Sequence, residues 1–84
     1  MEPLQAVTVG PTQAVTAIYR ETEDKHGEGM ALNSLGNALR EVGRFKDAIT
    51  EYQDAVAIFR DTGDQHNKRL AMSNLEAAKG AHLG

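Results

Sequence analysis

The chain has 84 residues, with 12 acidic against 9 basic side chains for a formal net charge of −3, and it contains no cysteine. That balance leaves no cationic footprint for nucleic acid or an anionic lipid surface, and disulfides and thiolate metal sites are excluded outright. No apolar run nears the roughly 20 residues that span a bilayer, and no basic-then-apolar leader opens the chain, so a cytoplasmic location away from the membrane is expected.

Residues 1–11 are expected to form a tail or cap, because Gly10 and Pro11 are both poor choices for a helix interior. Residues 12–23 follow as a helix, and the reason is an internal repeat. Gln13-Ala14-Val15-Thr16-Ala17-Ile18-Tyr19-Arg20 recurs as Gln53-Asp54-Ala55-Val56-Ala57-Ile58-Phe59-Arg60, and ten of the twenty-six residues from 13 to 38 are unchanged forty positions on. A period between about 20 and 50 residues marks a stacked array. Residues 12–23 are then a half repeat, the counterpart of Tyr52–Gly63.

Glu28 to Val42 has the pattern of an amphipathic helix, with Leu32, Leu35, Leu39 and Val42 on one stripe by three-then-four spacing. Asp24 is placed to cap its start, and Gly43 sits where a left-handed terminating residue is wanted. The next helix runs from Arg44 to Arg60. Its apolar face is Phe45, Ala48, Ile49, Tyr52, Ala55, Val56 and Phe59, with Lys46, Thr50, Glu51, Gln53 and Asp54 solvated. The link Val42-Gly43-Arg44 is so short that these two helices must be antiparallel. Gly63 stops the second, Asp64 caps a third from Gln65 to His82, and Leu70, Met72, Leu75 and Ala78 form its expected buried side. The sequence thus predicts an all-α chain of four helices: a half repeat at 12–23, a complete helix–turn–helix unit at 24–60, and a half repeat or capping helix at 64–83.

The central unit carries Leu32-x-x-Leu35-Gly36-x-x-Leu39, then Gly43, Ala48-x-x-x-Tyr52 and Ala55. This resembles the tetratricopeptide repeat. Small residues at 36 and 48 suit a close helix crossing, with Leu32, Leu35, Leu39 and Tyr52 filling the space around it. Glu76 stands in the repeat place of Gly36, so no further helix should cross closely over the last one. The chain departs from the family where aromatic residues commonly replace Leu32 and Leu39, and where Arg60 replaces a terminal proline. Its forty-residue period and Leu32-Asn33-Ser34-Leu35 are similar to the longer repeats of kinesin light chains and bacterial regulatory proteins.

The resemblance implies a concave groove lined by the first helix of each unit. The matching places are Asn33, Ser34, Asn37, Arg40 and Glu41, with Ser73, Asn74 and Ala77 on the last helix. Amide side chains both donate and accept, which suits the backbone of an extended peptide. Ordinary solvated residues are the plainer reading of the same face. A carboxylate clamp is disfavoured, because Asn33 stands where the family's clamp has lysine. The expected function is therefore a scaffold that binds a protein or peptide. Two alternatives stand beside it: self-association into a homo-oligomer, since fewer than about three repeats are marginal alone, or a fragment of a larger regulatory protein with no separate activity.

Catalytic, metal and cofactor roles find no support in the sequence. His26 and His66 are one repeat position seen twice, and His82 suits a helix C-terminus. Glu21/Asp24 and Glu51/Asp54 fall on solvated faces, where general acid–base catalysis has no pocket. Gly27-x-Gly29 has no preceding strand and makes no phosphate loop.

Overall fold

The computed structural model describes the backbone of residues 9–83 and the side chains of residues 23–83. The tail expected at residues 1–11 lies outside the described residues up to residue 8. Among the described residues the architecture is all-helical: α1 spans Val9–Glu41, α2 spans Phe45–Thr62 and α3 spans Gln65–Leu83. No helix among them is long and apolar enough to cross a membrane. The three pack in sequence, α1 against α2 and α2 against α3, into an elongated body of 63 × 21 × 14 Å.

Among the described residues three helices stand where four were expected. Residues 12–23 and 28–41 belong to one continuous 33-residue helix. The reason is visible at the two turns that do form. At Gly43 (φ 85°) the amide donates to the Arg40 carbonyl and the Arg44 amide to that of Leu39. At Gly63 (φ 77°) the Gly63 amide donates to Arg60 and the Asp64 amide to Phe59. Both are glycine-terminated Schellman ends. The first repeat has Glu23 in the place of Gly63. A residue with a Cβ resists the left-handed conformation by about 1–2 kcal/mol, so the chain continues as helix. Asp24, expected as a cap, consequently sits exposed inside α1. Pro11 is also accommodated, as the third residue of α1, because first-turn amides have no intrahelical acceptor to lose.

The α1–α2 hairpin closes on two glycine–ring contacts. Gly36 faces Tyr52 so closely that a Cβ added to it would lie only 2.6 Å from the ring's Cε1. Gly29 faces Phe59 in the same way, and a Cβ there would lie 2.9 Å from Cε1. Among the described residues Tyr52 and Phe59 are the largest fully buried side chains. On its other side α2 receives α3. Ala48, Tyr52 and Ala78 form one buried cluster, flanked by Leu39, Ile49 and Leu75. Ala55, Phe59 and Ala71 form a second, flanked by Leu32 and Val56. The small residues of α2 let α3 approach, while its aromatic residues fill the hairpin.

Half of each outer helix's expected apolar stripe is bare. Leu32 and Leu39 pack, but Leu35 is 45% and Val42 71% exposed. On α3, Leu75 packs and Ala78 is buried, as is Ala71 outside the expected stripe, while Leu70 and Met72 are 47% and 44% exposed. The cause is that, among the described residues, α1 and α3 each pack extensively on α2 alone and touch each other only at an edge, where the interior of an array would give each two packed neighbours.

Candidate functional site

The residues expected to line a groove divide into three groups. Asn33 on α1 and Asn74 on α3 are brought together: the Asn74 Nδ2 donates to Asn33 Oδ1 at 3.2 Å. This amide pair joins the two outer helices across the edge of α2. Asn37 and Arg40 converge on Tyr52 instead. The Tyr52 hydroxyl donates to Asn37 Oδ1, and the Arg40 guanidinium lies 5.9 Å from the centre of the ring. Ser34, Glu41, Ser73 and Ala77 are exposed.

Burial raises the Tyr52 hydroxyl above its ordinary range, and the nearby Arg40 charge partly opposes this. With the Oδ1 atoms of Asn33 and Asn37 engaged inside the fold, their NH2 groups are what remain to donate. Together with Arg40 they make a face rich in donors, suited to a partner's carbonyl or carboxylate oxygens.

Met30 belongs to this face, although its repeat partner Leu70 is expected in the core. It lies seven residues before Asn37, two turns along the same side of α1, and is 43% exposed. Leu70 holds the repeat place of Met30 on α3 and is likewise exposed. The signal for both is the seven-residue spacing to Asn37 and Ala77, which sets them on the side expected to line a groove.

A second cluster lies at the turn between α2 and α3. Asp64 caps α3: its Oδ1 accepts from the Asn67 amide at 3.0 Å, and its Oδ2 accepts from Asn67 Nδ2 at 2.7 Å. His26, two turns further toward the N-terminus of α1 than Asn33, reaches the same Oδ2 at 2.7 Å and meets the Phe59 ring edge-on at 5.8 Å. The Asn67 backbone amide first, then its side chain, and to a lesser degree His26, lower the Asp64 carboxyl to about 2. His66, at the same repeat position as His26, is exposed. The difference is one of side: His26 faces the Asp64 cap from α1, whereas His66 follows that cap on α3 itself, with its side chain exposed. Among the described residues no three His, Asp or Glu side chains gather as a metal site would require.

Compared with known proteins, the chain matches no family model, no curated sequence and no solved structure.

Proposed function

We propose that this chain is a protein-interaction module of tetratricopeptide type, working in the cytoplasm, and that α1 and α3 together hold an extended peptide. The observation that carries this reading is the Asn33–Asn74 amide pair, which joins the two helices that a repeat array would turn toward its ligand. Around that pair the surface offers donors from Asn37 and Arg40 and apolar contacts from Met30 and Leu70. Backbone carbonyls of the peptide take the donors, and an apolar side chain settles between Met30 and Leu70. Interfaces of this kind combine polar registration with a few apolar anchors.

The test is a peptide array probed with the full chain, followed by affinity measurements on the strongest binder. Ser34→Lys and Ser73→Lys place bulk in the groove at exposed positions and should abolish binding without lowering the melting temperature. Lys46→Ala and Asp54→Ala, on the solvated side of α2, should leave affinity unchanged. Binding lost through the α2 pair and kept in the groove pair would place the site elsewhere and refute the proposal.

A structural reading, self-association of the repeat, is favoured by a separate observation: the exposed Leu35 and Val42 on the side of α1 away from Met30 and Asn37.

A further inference from the structure

We infer that the bare face of α1 formed by Ala31, Leu35, Ala38 and Val42 is covered by residues 9–23 of a second copy of this chain, the two copies exchanging these segments reciprocally. The groove is not involved, since the two faces lie on different sides of α1.

The four residues follow a four-three-four spacing, which puts them on one stripe, and all four are exposed. Forty residues on, the first three recur as Ala71, Leu75 and Ala78. In α3 those residues are the ones that pack against α2, with Ala71 and Ala78 fully buried. The α1 face is therefore a second edition of a surface whose covering is already seen in this molecule. What covers it there is α2, including residues 53–62. The chain holds a second edition of that element too: residues 13–22 keep Gln13, Ala17, Ile18, Arg20 and Thr22 at the places of Gln53, Ala57, Ile58, Arg60 and Thr62, with Val15 and Tyr19 at those of Ala55 and Phe59.

The two complementary surfaces cannot meet within one molecule in this conformation. Both belong to α1, one continuous helix of 33 residues, about 50 Å long at 1.5 Å per residue. Two copies side by side and antiparallel satisfy both surfaces twice and close the assembly, as helix exchange does. The segment that distinguishes open from closed is 23–27, where Glu23 replaces the glycine that ends α2. The turn at 61–67 is not the hinge: Gly63, the Asp64 cap and His26 hold it shut.

Sedimentation velocity across a concentration series should give a dimer. Leu35→Glu should raise its dissociation constant by about tenfold or more, one such factor for each 1.4 kcal/mol lost, with helicity kept, because the residue is already exposed in the single chain. Lys46→Glu should have no effect. Exchange is separated from simple face-to-face adhesion by a disulfide. The chain has no cysteine of its own, so Val15→Cys with Ala31→Cys reports cleanly. The bond should form between chains in the parent background and within one chain once Glu23→Gly restores the turn, with the mass falling to that of a monomer. A monomer up to the millimolar range, a dimer indifferent to Leu35→Glu, or a parent that makes only intrachain disulfides would each overturn the inference.

Discussion

Replacing Gly36 by alanine sets two terms of similar size against each other, and the structure determines which is larger. Helix propensity favours the change by about 0.8–1 kcal/mol, since Gly36 lies well inside α1. Against that, the new Cβ would stand 2.6, 2.8 and 3.0 Å from Cε1, Cδ1 and Cζ of Tyr52. The ring has no room to yield: it is fully buried, clusters with Ala48 and Ala78, and is tied at its hydroxyl to Asn37. Overpacking of this kind costs about 1–3 kcal/mol. The matched control is Gly80→Ala, where nothing lies within 4 Å of the added carbon and the propensity gain acts alone. The two variants should differ by the packing term, about 2 kcal/mol at its midpoint. For a domain of this size that is a separation of about 8–16 °C, at about 4–8 °C per kcal/mol. Thermal unfolding followed by circular dichroism at several matched concentrations reads it directly. Gly36→Leu should melt lower still. A Gly36→Ala protein that melts as high as Gly80→Ala would show that α1 and α2 do not meet at this level.

Gly63→Ala should cost about 1–2 kcal/mol, because its φ of 77° is disfavoured for any residue with a Cβ, and urea unfolding measures it. Acid should weaken the fold through Asp64. Its carboxyl is lowered to about 2, so its contribution is complete above the ordinary carboxylate range and disappears as pH falls from about 4 toward 2. Asp64→Asn should flatten melting temperatures across that interval. Alkali should act through Tyr52, whose raised hydroxyl pKa makes the unfolded chain ionise first; stability is then intact below about pH 10 and declines above it. Tyr52→Phe should remove that decline while costing about 0.5–1.5 kcal/mol at neutral pH for the lost bond to Asn37.

The legible part of the fold is the part governed by local chemistry. Gly43 and Gly63 announce their turns, Asp64 its cap, and the apolar face of α2 follows from spacing alone because that helix has a neighbour on either side. The break expected at Asp24 does not form because similarity between the repeats counts for less there than one residue. Glu23 in place of glycine removes the stop, and its well-matched neighbours do not restore it. Periodicity assigns Leu35, Val42, Leu70 and Met72 to the core, but it reports that a face is apolar and not whether anything lies against it. In the candidate site, Asn33 and Asn74 hold neighbouring places of the repeat frame, Asn33 matching Ser73 and Asn74 matching Ser34, so the frame sets each on the expected groove side of its helix while the bond between them comes from the packing. The convergence of Asn37 and Arg40 on Tyr52 has no such signal, since it depends on the angle at which α2 crosses.

The two glycine–ring contacts of the hairpin have a geometric consequence. Gly29 and Gly36 are seven residues apart, as are Phe59 and Tyr52, and the helices run in opposite directions, so both rings enter their hollows at one setting of the hairpin. Sliding α2 along α1 by one turn would bring Tyr52 over Leu32 or Arg40 and Phe59 over Lys25 or Asn33, none of which leaves room for a ring. The pair of hollows thus indexes the helices as two teeth index a rack, where a single contact would leave the axial position soft. On α3 the corresponding places are Arg69 and Glu76. On that face α3 has no hollows to offer, so a further ring-bearing helix could not be set to length there as α2 is on α1, while the face of α3 that α2 already occupies carries the small Ala71 and Ala78.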